Sequence, residues 1–248
     1  MSGHSKWATI RRKKGALDAK RGKLFTKLIK ELTIAAREGG GDPNGNPRLR
    51  LAIDNAKSAN MPADNIDRAI KKATGELEGT TISELTYEGY GPGGIALLVE
   101  VATDNKNRTV AEVRHIFSKN GGNMGESGSV AWMFEKKGII TLPKQGKSED
   151  DIMELALNAG AEDIRTEDDF FEIQTDIESF EPVRKAVASK DLTMENASLQ
   201  WLATNTISIT GENAEKMMKL IESLEDCDDV QNVYSNADFD EEFINQQS

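Results

Sequence analysis

Residues 94–103 have the sequence GIALLVEVAT, an apolar run next to turn residues that predicts a buried β-strand. Residues 108–119 follow, with apolar side chains at three- and four-residue steps that predict an amphipathic helix. After a glycine-rich stretch, a further strand is predicted over residues 129–134. Residues 94–134 therefore predict one β-α-β unit.

A second β-α-β unit is predicted far along the chain, over residues 205–236. Between the two units, residues 138–203 predict the order β-α-β-β-α-β, which is the order of a ferredoxin-like domain. The outer units would complete a second domain of this type if the middle one is inserted into it, and such insertions are tolerated. We therefore expect a split α/β domain made of residues 79–134 and 205–240, with residues 135–204 inserted as a ferredoxin-like α/β domain.

Residues 1–78 have a different character and predict a basic arm followed by a small helical domain. A helix is predicted over residues 18–38, because its apolar side chains form one stripe and three glycines follow it. Two shorter helices should begin at Pro47 and near Pro62, since proline is favoured at a first helical position. The expected fold class is α+β: an N-terminal three-helix domain followed by two ferredoxin-like domains, one inserted into the other. Residues 241–248 are expected to form an acidic tail.

The composition limits the class of protein. The chain of 248 residues has one cysteine, Cys227, so no internal disulfide is possible and a reducing compartment fits. No stretch approaches the roughly 20 apolar residues of a membrane span. The basic N-terminus is not followed by the apolar segment of a secretory signal. We therefore expect a cytoplasmic protein with no membrane partner.

The net charge of −11 conceals a strong asymmetry along the chain. Residues 1–78 carry 17 Lys and Arg against 9 Asp and Glu, a net of +8. Residues 79–143 carry 6 against 7, and residues 144–248 carry 8 against 26, which are nets of −1 and −18. A basic end on an acidic chain indicates a partner for that end, and nucleic acid is the first candidate. The acidic part has three interpretations: solubility, repulsion of nucleic acid from that side, or binding of a basic partner surface.

The chain offers little material for catalysis. His4 lies in the arm, His115 lies on a predicted helix that packing and solvent explain, and Cys227 has acidic neighbours that would raise the pKa of its thiol. Residues 89–94 have the glycine spacing of a dinucleotide-binding loop, but a strand follows where such a loop needs a helix, so they predict a strand-to-strand turn. Paired acids such as Asp228-Asp229 indicate solvated surface or helix caps. We expect a non-enzymatic protein with no metal site, cofactor or small-molecule substrate.

The N-terminal segment has the charge density of a phosphate-binding surface. Residues 1–37 contain eleven Lys and Arg against two acids, and such side chains neutralise phosphates and release counterions. Trp7 lies in a segment too polar to bury it, so it either stacks on a base or partner surface, or folds back on the helical domain. The lysines of the first helix are predicted to lie opposite its apolar stripe. The predicted nucleic-acid-binding residues are Lys6, Trp7, Arg11, Arg12, Lys13, Lys14, Lys20, Arg21, Lys23, Lys27 and Lys30.

Many motifs of this sequence resemble those of the YebC/PmpR family. The resemblance runs almost continuously over residues 3–142 and more loosely beyond them, so the motifs are jointly specific. One departure is Arg12, where the family has histidine, and this change keeps the positive charge. The shared motifs include Gly3-His4-Ser5-Lys6-Trp7, Asp18-Ala19-Lys20-Arg21-Gly22-Lys23, Asn46-Pro47-Arg48-Leu49-Arg50, Tyr87-Glu88-Gly89-Tyr90-Gly91-Pro92-Gly93-Gly94, Thr103-Asp104-Asn105 and Phe117-Ser118-Lys119-Asn120-Gly121-Gly122.

The resemblance implies a three-domain cytoplasmic protein described as a probable transcriptional regulator that binds DNA. It also implies a competing role, because mitochondrial relatives activate translation of a cytochrome oxidase subunit and bacterial relatives are linked to relief of ribosomes stalled at proline runs. The leading interpretation is a DNA-binding regulator of transcription, and the alternative is a ribosome-associated translation factor that binds ribosomal RNA. The chain has no obvious helix-turn-helix recognition helix, which favours phosphate contacts over base-specific ones.

Overall fold

The computed structural model describes residues 19–79, 81–144, 148–167, 169–190, 192–240 and 243–244. It is an α+β structure with a helical N-terminal region followed by α/β regions, which confirms the expected fold class. The chain divides into two compact units, one reaching to Phe134 and resuming at Ala203, the other formed by Glu135–Leu202. The separation of the first unit into a helical and a split domain, and the predicted domain ends, stay predictions. None of the helices in the described ranges has the length and apolar content needed to cross a bilayer.

Three helices form the N-terminal region: α1 (Ala19–Gly39), α2 (Pro47–Ser58) and α3 (Ala63–Ala73). Their apolar faces meet in a core of their own, as the spacing of apolar residues predicts. The buried members of this core are Leu32, Ala35, Ala36, Leu49, Ala52, Ala56, Met61, Ile66 and Ala69.

The turn between α1 and α2 depends on Asn46, whose side chain is buried. Its Oδ1 accepts a hydrogen bond from the backbone N–H of Leu49 at 3.0 Å, which caps α2. Its Nδ2 donates to the carbonyl oxygens of Ala35 at 2.7 Å and Gly40 at 2.9 Å, near the end of α1. Gly40 has a φ of +85°, a left-handed conformation that glycine adopts without strain. One side chain therefore fixes both the end of α1 and the start of α2.

The first unit also contains a four-stranded sheet in the order β3-β1-β2-β9. Its strands are β1 (Ser83–Tyr90), β2 (Ala96–Thr103), β3 (Asn123–Met124) and β9 (Val230–Ser235). Helices α4 (Lys106–Lys119) and α7 (Gly211–Glu225) supply the apolar side chains that pack with those of the sheet. The strand-to-strand turn predicted at residues 89–94 is confirmed, since a single 3-10 turn joins β1 to β2.

One strand of this sheet differs from the prediction. The second β-α-β unit was expected to place β8 (Ile207–Ile209) in the sheet, but β8 pairs in parallel with β10 (Ala237–Phe239). The place beside β2 belongs to β1, which pairs with it over all eight of its residues. A tight hairpin of eight paired residues costs little loop entropy, whereas β8 has only three residues to offer.

The strand predicted over residues 129–134 is wrong for most of its length. Residues 131–133 form a 3-10 turn, and β4 begins only at Phe134. The backbone N–H groups of Val130 and Ala131 donate to the carboxylate of Glu88, so they are unavailable for a strand ladder.

The second unit has the predicted order β-α-β-β-α-β. Its elements are β4 (Phe134–Pro143), α5 (Glu149–Asn158), β5 (Asp163–Thr166), β6 (Phe170–Thr175), α6 (Ile177–Ala188) and β7 (Asn196–Ala203). The strands lie in the order β5-β6-β4-β7, which is the strand order of a ferredoxin-like sheet.

Candidate nucleic-acid interface

The predicted nucleic-acid-binding residues fall into three groups. Lys6, Trp7, Arg11, Arg12, Lys13 and Lys14 lie outside the described residues. Lys20 and Arg21 belong to the first turn of α1, and their side chains are outside the described part. Lys23, Lys27 and Lys30 are described in full, and the structure gives all three of them partners within the chain.

These three lysines follow one another at intervals of four and three residues, so they share one face of α1. Nζ of Lys23 donates to the carbonyl oxygen of Asp226 at 2.9 Å, and its distance to Oδ1 of the same residue is 3.2 Å. Nζ of Lys27 donates to the carbonyl oxygen of Glu225 at 3.0 Å. The lysine face of α1 therefore lies against the C-terminal end of α7.

Lys30 makes the most buried of these contacts. Its Nζ donates to the carbonyl oxygen of Asp228 at 2.8 Å and to Oδ1 of Asp229 at 2.7 Å. Ile34 follows it by one helical turn and is only 1% exposed, so this face of α1 is covered over at least that turn. We name the set formed by Lys23, Lys27 and Lys30 with residues 225–229 the α1–α7 contact.

The geometry of a helix end explains why lysines bind there. The last carbonyl groups of a helix have no partner within the helix, and the aligned peptide dipoles place partial negative charge at that end. The C-terminal end of α7 adds the acidic side chains of Glu225, Asp226, Asp228 and Asp229 to these carbonyls. Ammonium groups are the natural partners of such a surface.

Asp229 links the α1–α7 contact to the rest of the first unit. Its Oδ2 accepts hydrogen bonds from Thr109 at 2.7 Å, Arg108 at 2.8 Å and Thr103 at 3.1 Å. Burial alone would raise the pKa of this carboxyl, but the hydrogen bonds from Lys30, Thr109 and Arg108 hold it well below its ordinary range. The sequence-based assignment of Asp229 to solvated surface or a cap is wrong, because the residue is 6% exposed.

A second polar cluster joins the helical region to β1. The guanidinium of Arg48 on α2 donates to Glu31 at 2.9 Å, to Glu38 at 2.8 Å and to Glu84 of β1 at 2.6 Å. Burial would lower the pKa of Arg48, but its bonds to Glu84 and Glu31 raise it above the ordinary value, so the charge is permanent. Nη2 of Arg37 also donates to the carbonyl oxygen of Ile82.

The glycine-rich stretch after α4 is fixed by Glu88 of β1. The carboxylate is buried and accepts the backbone N–H groups of Gly128 at 2.6 Å, Val130 at 2.7 Å and Ala131 at 2.8 Å. Burial would raise the pKa of Glu88, but these three hydrogen bonds lower it. We name residues 125–131 the Glu88 loop. The carboxylate of Glu88 accepts hydrogen bonds from backbone N–H groups of this loop that could otherwise bind a phosphate.

An exposed tryptophan follows the Glu88 loop. Trp132 has 70% of its surface accessible to solvent, and its Nε1 donates to the carbonyl oxygen of Ser129 at 3.1 Å. The hydroxyl of Tyr90 donates to the same oxygen at 3.1 Å, which ties the loop to β1. The indole N–H is thus satisfied while the ring stays open to a partner, a combination common at interfaces. The exposure of Trp132 was not predicted from the sequence, because a strand was expected here and alternating side chains of a strand point to the interior.

The remaining candidates for chemistry are the side chains that could serve as nucleophiles, bases or metal ligands. Cys227 is buried, and burial raises the pKa of its thiol; Glu112 raises it further, while a hydrogen bond with the backbone of Asp229 lowers it. The predicted direction is confirmed, but the main cause is burial and not the acidic sequence neighbours. His115 lies exposed on α4. Among the residues that the structure describes, no group of three or more His, Cys, Asp or Glu side chains is placed to hold a metal ion.

Comparison with known proteins identifies the family of this chain. The TACO1/YebC protein N-terminal domain matches residues 5–76, and the TACO1/YebC second and third domain matches residues 82–237. The chain is similar to the probable transcriptional regulatory protein CT1665 of Chlorobaculum tepidum, with 60% identity over 242 residues, 97% of this chain and 96% of that one. A probable transcriptional regulatory protein of Desulfatibacillum aliphaticivorans is 59% identical over 244 residues, 98% of this chain and 99% of the relative.

The fold has a counterpart among crystal structures. The conserved hypothetical protein Aq1575 from Aquifex aeolicus has a TM-score of 0.84 and 48% sequence identity, over 90% of this chain and 93% of that chain. The family matches together span nearly all of the sequence, and the resemblance seen in the motifs is confirmed. The chain belongs to the TACO1/YebC family.

Proposed function

We propose that this protein is a non-enzymatic, nucleic-acid-binding regulator of gene expression, acting in the cytoplasm as a DNA-binding regulator of transcription. The observation that carries the proposal is the charge asymmetry: residues 1–78 hold a net charge of +8 in a chain whose net charge is −11. Relatives about 60% identical over nearly the whole length are named probable transcriptional regulatory proteins, which supports the regulatory part.

The intramolecular contacts refine the proposed binding residues. Lys23, Lys27 and Lys30 already donate to oxygens of residues 225–229, so a phosphate would have to replace those partners. The other predicted binding residues, from Lys6 to Lys14 with Lys20 and Arg21, have side chains outside the part that the structure describes. Because residues 6–14 hold five Lys and Arg and no acid, we expect the arm to make phosphate contacts, with little base-specific readout.

The test compares two double variants of the helical region. In Lys13→Gln/Lys14→Gln, two arm charges are removed; in the control Lys57→Gln/Lys72→Gln, two exposed charges are removed from α2 and from α3. If the arm neutralises phosphates, the arm variant binds a DNA duplex more weakly and loses about 0.9 per contact from the slope of log K against log salt. Equal slopes for the arm variant, the control and the unmodified protein would contradict the assignment.

A ribosome-associated translation factor that binds ribosomal RNA is the second candidate, and Trp132 is the observation that favours it. An exposed, oriented aromatic ring stacks on unpaired bases, which RNA loops present and duplex DNA does not. Cross-linking in cells, followed by sequencing of the recovered nucleic acid, separates the two. Recovery of mainly ribosomal RNA would overturn the transcriptional role, and recovery of promoter DNA would overturn the translational one.

A further inference from the structure

The α1–α7 contact has the chemistry of a nucleic-acid backbone. Three ammonium groups on one helix face meet carbonyl oxygens of Glu225, Asp226 and Asp228 and carboxylate oxygens of Asp226 and Asp229. A row of phosphates would offer the same ammonium groups a similar series of anionic acceptors. The oxygens at the C-terminal end of α7 thus resemble the acceptors that a row of phosphates would offer to α1.

Separation of this contact leaves no buried charge without a partner on the α/β side. When Lys30 departs, Asp229 still accepts hydrogen bonds from Thr103, Arg108 and Thr109. The side chain of Asp226 is 71% exposed, so it passes to water at little cost. Removal of one member of a buried ion pair is usually expensive because the other charge is stranded, and here that penalty is avoided.

The helical region has an apolar core of its own. This core is made of α1, α2, Met61 and α3, and among the described residues it shares no member with the core formed around the four-stranded sheet. Arg48 exchanges Glu84 for water but retains Glu31 and Glu38, which lie on α1. The helical region therefore has a core of its own, and its separation from α7 would expose Ile34 and release the hydrogen bond from Arg37 to Ile82.

We propose that the C-terminal end of α7 is an internal competitor for nucleic acid, which exchanges with a phosphate backbone for Lys23, Lys27 and Lys30. This inference rests on the proposed function. In the closed form the end of α7 covers the lysine face of α1, and in the bound form that face contacts phosphates. The apparent affinity for nucleic acid is then the affinity of the open form multiplied by the fraction of molecules that are open.

Zero-length cross-linking with a carbodiimide tests the exchange. Nζ of Lys23 and Oδ1 of Asp226 are 3.2 Å apart, with side chains 43% and 71% exposed, so an amide bond can form between them. Lys71 and Asp67 on α3 form a matched control pair at 2.8 Å, with side chains 45% and 62% exposed. The full-length protein is cross-linked without nucleic acid, with a DNA duplex and with single-stranded RNA, and both linked peptides are quantified by mass spectrometry.

The expected result is a loss of the Lys23–Asp226 link at saturating nucleic acid, with the Lys71–Asp67 link unchanged. Binding is followed in the same samples by fluorescence anisotropy of the labelled nucleic acid. If the nucleic acid binds while the Lys23–Asp226 yield stays constant, the competition is absent and only the proposed function survives. If neither DNA nor RNA binds, the proposed function fails and the competition fails with it.

A substitution gives an independent measurement. Asp226→Asn removes the charge that faces Lys23, and Glu212→Gln removes one exposed charge, paired with Lys216, from the other end of α7. Weakening one exposed charge pair of the closed form should raise the affinity for nucleic acid about two- to fivefold over the Glu212→Gln control. Equal affinities of the two variants would overturn the proposal.

Discussion

Nζ of Lys30 lies 2.7 Å from Oδ1 of Asp229, and the two side chains are only 14% and 8% exposed. The pair joins α1 to the start of β9, which is 199 residues further along the chain. Asp229 is at the same time an acceptor for Arg108 and Thr109 of α4. A single carboxylate thus holds together the helical region, α4 and the C-terminal end of α7.

The first prediction concerns the loss of this carboxylate. Asp229→Ala should lower the free energy of unfolding by about 3 kcal/mol, because it removes the anionic partner of the nearly buried Lys30 ammonium and an acceptor of two buried hydroxyl groups. Asp228→Ala is the matched control, since its side chain is exposed and only its backbone carbonyl is used. Urea denaturation followed by circular dichroism measures both variants, and equal midpoints would contradict the central role of Asp229.

The pH dependence of the Asp229 contribution has a definite sign. The pKa of Asp229 is held below its ordinary value of 3.8 in the folded protein. Stability from such a carboxylate is fully present above the unfolded pKa and is lost as the pH falls through the folded one. The gap in unfolding free energy between the unmodified protein and Asp229→Ala should therefore be constant above about pH 5 and shrink in strong acid. A gap that widens on acidification would exclude this explanation.

The Glu88 loop gives the next prediction. Glu88→Gln replaces an acceptor of three backbone N–H groups by an amide whose NH₂ faces some of them, which should cost about 2 kcal/mol. Glu126→Gln, an exposed residue of the same loop, is the control and should change stability by less than about 0.5 kcal/mol. Since Trp132 follows the loop, its fluorescence should shift in Glu88→Gln alone. An unchanged spectrum and an unchanged midpoint would show that the carboxylate does not hold the loop.

Arg48→Lys tests the second polar cluster. A lysine keeps the charge but cannot bind Glu31, Glu38 and Glu84 at once, so we expect a loss of about 1 kcal/mol, discounted because the arginine is 38% exposed. Arg68→Lys, on the exposed side of α3, should be neutral in the same thermal melt. The difference should diminish in high salt, and salt-independent destabilisation would indicate lost packing instead.

Local patterns predicted the helices well, because the signals lie within each helix. Asn46 and Pro47 predict the start of α2, and the apolar residues of α1 recur at helical spacing. The partners of Lys23, Lys27 and Lys30 lie about 200 residues away, and no local spacing points to them. In a helix considered alone, a charged face opposite an apolar stripe is expected to lie in solvent. The acidic C-terminal end of α7 makes this face of α1 an internal contact instead.

The misassigned strand has the same cause. Residues 129–134 have the composition of a strand, but a carboxylate some 40 residues earlier in the chain takes the N–H groups that a ladder would need. The position of β8 is also decided by pairing beyond its neighbours in sequence, because its partner β10 follows only after α7 and β9. Tertiary contacts decide which partner a backbone group takes, and the strand propensities of six residues give no information about those contacts.

The last prediction concerns Glu172 of β6, where the pH dependence has the opposite sign. Glu172 is 3% exposed, and burial raises its pKa from 4.5 to about 6, against the opposing effect of Arg165. A carboxyl whose folded pKa is raised favours the folded state only when protonated, so its ionisation costs stability as the pH rises through about 6. Glu172→Gln should therefore stabilise the protein by about 2 kcal/mol at pH 7.5, the equivalent of 1.5 pKa units, and give no gain at pH 4.5.

Glu154→Gln on α5, which removes an exposed carboxylate, should show no such change with pH in the same urea titrations. If Glu172→Gln is equally or less stable than the unmodified protein at pH 7.5, then Glu172 is held as a stabilised anion and the burial argument is wrong.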